Sequence, residues 1–324
     1  MRVAIIGQGY VGLTIAVGAA GADHEVVGFD VNADLVKALN SGVSHIEGIS
    51  DAELKNFLSN KTYTASTEAS SVNGCDVIVI AVPTPLTESR EPDLSFVHAA
   101  VGLIQNNVKT PTLVINESTS YPGTLRKEIA ARITGVNHLY ASSPERVDPG
   151  NTQWGTKNTP RLIGGLSPEA VSKAKEFYSS FCDTVIEVSS PEVAEAAKIF
   201  ENTFRQVNIA LVNEFAQIAD ALGISGREVL DAAATKPYGF MEFNPGPGVG
   251  GHCIPVDPIY LASKAKEIGR SIRLIDLADK VNQEKIVKFL ELLDNKIDLN
   301  KKITEQRKRY LYDPFLDKPL IYLA

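Results

Sequence analysis

Cys253 stands in the most chemically suggestive stretch of the chain: it follows Pro245-Gly-Pro-Gly-Val-Gly-Gly251 and His252, and an acid, Asp257, comes four residues later. Four glycines and two prolines in seven residues exclude a helix interior or a central strand, because glycine loses backbone entropy on ordering and proline lacks a donor. The stretch reads as a tight loop that exposes backbone N–H groups and lets a ligand come close. A thiol beside a histidine and near a carboxylate suits a nucleophilic thiolate. The same residues also suit a surface turn ahead of a small buried cysteine. Lys198 and Asn202 form a second set. They fall in residues 192–222, a span without proline or glycine that reads as one long helix stopped by Gly223, and their four-residue spacing puts them on one face. There they would project a cation and an amide donor into a cleft, or form a solvated lysine beside a polar neighbour.

These side chains need a scaffold, and the first half of the chain spells one out. Residues 2–6 are a short apolar strand, Gly7-Gln-Gly-Tyr-Val-Gly12 follows at once, residues 13–20 are a small-residue helix, and residues 25–30 are a second strand ending in Asp30. In such a unit Gly7 permits the sharp turn, Gly9 lets a pyrophosphate near the backbone and Gly12 allows close helix packing. Tyr10 and Val11, within the glycine turn, are candidate cofactor contacts, and the N-terminus of the helix that follows faces the phosphates. Asp30, eighteen residues after Gly12, can accept the ribose hydroxyls and repels a 2′-phosphate, so NAD is expected rather than NADP. Apolar strands over 76–82, 112–116 and 139–143 run into Pro83-Thr84-Pro85, Glu117-Ser-Thr119 and Pro144-Glu145-Arg146-Val147, as where ligands sit at the carboxyl edge of a parallel sheet. Residues 161–165 and 184–188 read as the last strands. Further helices are expected over 226–234 and from Ile259 through the 280s. The expected fold is α/β: a Rossmann-type doubly wound parallel sheet over 1–190, then an all-α domain with a long helix over 191–290, then a tail over 291–324.

Composition narrows the function. At 324 residues, 44% apolar and 22% charged, the chain is long enough for two domains with real cores and is not disordered or fibrous. A net charge of −7 argues against a nucleic-acid partner held by a broad basic surface. Cys75, Cys182 and Cys253 are widely spaced, without a CxxC pair or a zinc-spaced Cys/His cluster, so reduced thiols and no metal are expected. The chain starts directly in an apolar strand and has no apolar run of spanning length. A cytoplasmic location without a membrane partner is therefore expected.

Taken in order, Gly7 to Gly12, Pro83-Thr-Pro85, Glu117-Ser-Thr119, Pro144-Glu-Arg-Val147, the Lys198/Asn202 helix and Gly250-Gly-His-Cys253 with Asp257 resemble the UDP-glucose/GDP-mannose dehydrogenase family, over residues 1 to about 283. His252 before the cysteine and the Pro-Gly-Pro-Gly lead-in are similar to the branch acting on UDP-N-acetylhexosamines. Lys236-Pro-Tyr-Gly-Phe240 is most similar to UDP-N-acetylglucosamine 6-dehydrogenases, with the manno epimer next. The resemblance implies a four-electron oxidation of the sugar C6 hydroxyl to a carboxylate, with two NAD consumed and Cys253 carrying a thiohemiacetal and then a thioester. It implies Lys198 and Asn202 as donors to charge developing at C6, Glu145 as the base for the hydrolytic water, and Asp257 and Thr119 as residues that position that water. It further implies that Glu145, Arg146, Val147 and Gly250 lie with Lys198 and Asn202 around the substrate, and Pro83, Thr84 and Thr119 beside the cofactor. By residue type alone, Asp257 equally suits a helix N-cap before Pro258, and Thr119 a turn hydroxyl. A homodimer seam along the long helix is expected.

The resemblance has one departure. Family members continue into another α/β domain that carries much of the uridine-diphosphate contact, whereas residues 290–324 lack a strand and glycine-rich turn, so a truncated or atypical tail is expected. Two other readings stay open: a truncated NAD-binding homologue without turnover, and a two-electron 3-hydroxyacid-type dehydrogenase. The second leaves Cys253 and its glycine loop unexplained.

Overall fold

The structure, a computed structural model, describes residues 1–147, 151, 153–251, 253–296, 312–313 and 318–319. His252 and most of the expected tail lie outside the described residues. The chain divides into two compact units, Met1–Ile199 and Phe200–Ala324.

The first unit is built on eight strands: β1 (Arg2–Ile6), β2 (Glu25–Phe29), β3 (Tyr63–Ser66), β4 (Val77–Ile80), β5 (Leu113–Asn116), β6 (Leu139–Ser142), β7 (Arg161–Gly165) and β8 (Val185–Glu187). They lie in the order β3-β2-β1-β4-β5-β6-β7-β8. Both β4 and β5 are buried at every residue, which explains their unbroken apolar runs, since a parallel sheet is covered on both faces. The covering helices are α1 (Tyr10–Gly21), α2 (Ala33–Asn40), α3 (Asp51–Ser59), α4 (Ser95–Asn107) and α5 (Pro168–Ser179). The chain leaves β1 in one direction towards β2 and β3, and returns on its other side at β4, so the switch point lies between β1 and β4. One pairing departs from the expected parallel order: β7 runs antiparallel to β6, with Ser142 opposite Gly164. A crossover helix is what forces parallel pairing, and the segment between β6 and β7 contains none among its described residues.

Helix α6 (Pro191–Leu222) runs from the first unit into the second, and α7 (Gly226–Ala234) follows. The expected third helix is in fact two. Helix α8 (Cys253–Glu267) starts six residues before Ile259, and α9 (Arg273–Lys296) follows a break at Gly269, which has φ +70°. Pro255 fits the first turn of α8 because the N–H it lacks has no intrahelical acceptor there. Pro258 lies inside the helix and removes one bond. Cys253 is thus the first residue of a fifteen-residue helix, not a loop residue.

Candidate active site

The glycine turn after β1 has the shape that the dinucleotide reading requires. Gly7 has φ +92°, and a Cβ there would lie 2.4 Å from the Ala81 carbonyl oxygen. A Cβ on Gly12 would lie 1.8 Å from the Gly7 oxygen, so neither position tolerates a side chain. A Cβ on Gly9 would meet nothing within 4 Å. Gly9 caps α1 without a side-chain bond, so the N-terminus of this helix is open to a ligand on the Gly9 side. The Asp30 carboxylate, just past β2, accepts from the Gln8 N–H at 2.8 Å and the Asn32 N–H at 2.9 Å. Open space over Gly9, a helix start without a side-chain cap and a fixed carboxylate fit NAD: Gly7 to Gly12 would hold the pyrophosphate and Asp30 the ribose. Thr84 is buried, Thr119 half-buried and Pro83 exposed, at the carboxyl ends of β4 and β5.

The sequence does not single out Gln8. Its side chain is fully buried, donates to the Ile5 and Gly7 carbonyls and accepts from the Tyr63 hydroxyl at 2.8 Å. A Cβ on Gly28 would fall 2.2 Å from the Gln8 Oε1, so the glycine in β2 makes room for this side chain.

A buried charge cluster occupies the same edge of the sheet. Arg161 donates through Nη1 to Glu117 at 2.8 Å and through Nη2 to Glu145 at 2.7 Å. The Tyr178 hydroxyl donates to Glu117, and the Arg161 guanidinium lies 4.5 Å from the centre of the Tyr178 ring. Two buried carboxylates share one cation, and their protonation behaviour diverges. Burial pushes Glu117 up to about 7 against the pull of Arg161. Burial also opposes ionisation of Glu145, but Arg161 and the N–H groups of Val147 and Arg146 outweigh it and hold this carboxyl below its usual range. Arg161 reaches the cluster because β7 is reversed: its first residue meets the end of β6, where Glu145 follows. Sequence reasoning missed Arg161, Glu117 and Tyr178 as a set. The available signal was an arginine heading an otherwise apolar strand.

Helix α6 contributes at two heights. Buried Glu195 accepts from the Gly123 N–H at 2.7 Å and the Leu125 N–H at 2.8 Å, tying the segment after Thr119 to the helix. Burial pushes its carboxyl up to about 8, although those backbone donors pull the other way. Lys198, one turn further, is 9% exposed and has no ion-pair partner among the described residues. In the second unit Asn202 donates to Asp257 at 2.5 Å, and both are buried. Asp257 lies in the second turn of α8, which excludes the N-cap reading. Cys253, one turn earlier on α8, is exposed, while Cys75 and Cys182 are buried. Gly250 is exposed, and Arg146 and Val147 are half-buried.

The NAD-binding domain of the UDP-glucose/GDP-mannose dehydrogenase family matches residues 1–182, and the family's central domain matches residues 192–284. The UDP-N-acetyl-D-mannosamine dehydrogenase of Pyrococcus horikoshii is 39% identical over 290 residues, 87% of this chain and 68% of that protein. The UDP-N-acetyl-D-glucosamine 6-dehydrogenase of Pseudomonas aeruginosa is 37% identical over 290 residues, 87% of this chain and 67% of that protein. A structure of the Pyrococcus horikoshii UDP-D-ManNAc dehydrogenase superposes with a TM-score of 0.83 at 36% identity, covering 91% of this chain and 72% of that one. The chain spans about two thirds of the length of these relatives. It belongs to the UDP-glucose/GDP-mannose dehydrogenase family, and its residues 1–182 match the family's NAD-binding domain.

Proposed function

We propose that this chain oxidises the C6 hydroxyl of a UDP-N-acetylhexosamine, of gluco or manno configuration, to the carboxylate through a covalent adduct on Cys253. The observation that carries the reading is an exposed thiol at the first position of α8, on a helix whose second turn brings Asp257 into a buried hydrogen bond with Asn202. NAD, held by Gly7 to Gly12 and Asp30, would supply the hydride acceptor for both oxidations at C6. Cys253 adds to the C6 aldehyde as a thiohemiacetal and retains it, so the second oxidation leaves a thioester instead of a free aldehyde. Lys198 and Asn202 supply a cation and an amide donor to the oxygen on C6 as charge develops there. Glu145 accepts the proton of the water that hydrolyses the thioester, with Asp257 and Thr119 orienting that water. Arg146, Val147 and Gly250 contact the substrate, and Pro83, Thr84 and Thr119 border the cofactor site.

We further take residues 191–290 as the helical domain and as a homodimer seam. Phe200, Leu211, Ile218 and Leu222 on α6 are 65%, 60%, 55% and 67% exposed in the single chain, an apolar surface a partner copy would cover. No described helix is long and apolar enough to cross a membrane.

The test is NADH formed per sugar consumed, with UDP-N-acetylglucosamine and UDP-N-acetylmannosamine in turn. Two equivalents with either sugar support the four-electron reading. One equivalent with accumulating aldehyde supports the two-electron alternative. No NADH, with NAD still raising the melting temperature, supports a cofactor-binding chain without turnover.

A further inference from the structure

The loop in front of Cys253 has little that could hold it in place by itself. Pro245 and Pro247 offer no N–H, and Gly248 and Gly251 take φ of +150° and +79°, so no regular pairing is available to the segment. It is instead fastened from the interior of the second unit. The Gly246 N–H donates to Asn213 Oδ1 at 3.0 Å, and Asn213, on α6, is fully buried. Asn213 Nδ2 donates to Asn282 Oδ1 at 3.3 Å, and Asn282 Nδ2, on α9, donates to the Gln206 carbonyl at 3.2 Å. The loop then closes on α9, where a Cβ on Gly248 would fall 2.3 Å from Ile286 Cγ1.

Two carboxamides in helix interiors are a poor choice for helix stability, and burying them is costly unless each end is bonded. Here the bonds run as a chain from the α6 backbone through Asn282 and Asn213 to the loop, and end on the residue seven positions before Cys253. We infer that Asn213 and Asn282 are positioning residues for Cys253: a buried amide clasp that holds Gly246 and so fixes where α8 begins. In general, a thiol at the first position of a formed helix lies at the positive end of the helix dipole, which favours the thiolate. If the loop slackens, the first turn of α8 frays and that advantage goes with it.

The inference rests on Cys253 as the nucleophile, and its test separates the two ideas. Alkylation of the full chain by iodoacetamide, followed by site-resolved mass spectrometry from pH 6 to 10, reports the Cys253 profile, with buried Cys75 and Cys182 as internal controls. Hydrogen–deuterium exchange reports residues 245–251. In Asn213→Ala the Cys253 rate at pH 7 is expected to fall about threefold or more and its profile to move up, while loop exchange quickens about tenfold. Asn282→Ala should act in the same direction but more weakly, and the double variant should add little to Asn213→Ala alone. Cys75 and Cys182 should stay protected in all three. An unchanged Cys253 profile and unchanged loop exchange in Asn213→Ala would overturn the clasp. So would parallel exposure of all three thiols, which would mark the pair as helix-packing residues only. A wild-type Cys253 that titrates like a free cysteine counts against the nucleophile reading alone, and loop exchange then still decides the clasp.

Discussion

At the residue scale, reactivity here depends on which groups are shielded and which are left open. Cys253 is exposed, whereas burial pushes Cys75 and Cys182 up to about 11, so those two thiols stay protonated and inert at neutral pH. Cys253→Ser is expected to abolish net oxidation while NAD still raises the melting temperature, and unchanged NADH production would remove the thiol from the mechanism. Two buried carboxyls, one beside Arg161 and one on α6, give a second expectation. Glu117 and Glu195 have folded values raised to about 7 and about 8, above their usual carboxyl range. The folded state therefore binds protons more tightly than the unfolded chain at these two sites, and their contribution to stability is present at low pH and lost as pH rises through those values. The urea midpoint should be higher near pH 5.5 than near pH 8.5, and Glu117→Gln should flatten the slope between them. An equal slope in the variant would show that Glu117 is ionised throughout.

At the element scale, the turn from β1 into α1 separates two uses of glycine. Gly12 is needed by the fold, because its Cβ would overlap the Gly7 carbonyl. Gly9 borders open space, so its lack of a side chain serves a ligand and not the packing. Gly12→Ala should cost about 3 kcal/mol of stability or prevent folding. Gly9→Ala should leave the urea midpoint unchanged and weaken NAD binding about tenfold or more by calorimetry. Equal damage to stability in both variants would refute the distinction. The reversed β7 is the other element that matters, since only its antiparallel course delivers Arg161 to the end of β6.

At the scale of the whole molecule, the long helix links the two sets of candidate residues: Glu195 and Lys198 lie in the first unit, Asn202 and Asn213 in the second. The apolar residues along its exposed side give an expectation about assembly. Light scattering at micromolar concentration should give twice the mass of the single chain, and Leu211→Asp should return it to one chain. A monomer before substitution would count against the seam.

What the sequence determined by itself follows from short-range physics. The glycine spacing, the apolar strands with polar ends and the proline-free helix are local patterns, so the order of elements, the dinucleotide turn with Asp30, and the Lys198/Asn202 face could be read from residue types and spacing. Long-range pairing could not. The reversal of β7, the Arg161 bridge between Glu117 and Glu145, the burial of Gln8 and the Asn213–Asn282 pair each join residues far apart in the chain through single contacts that leave no periodic trace. The start of α8 was also hidden. Its glycines and prolines read as loop, yet prolines are tolerated in a first turn, so only the tertiary structure could decide that Cys253 opens a helix.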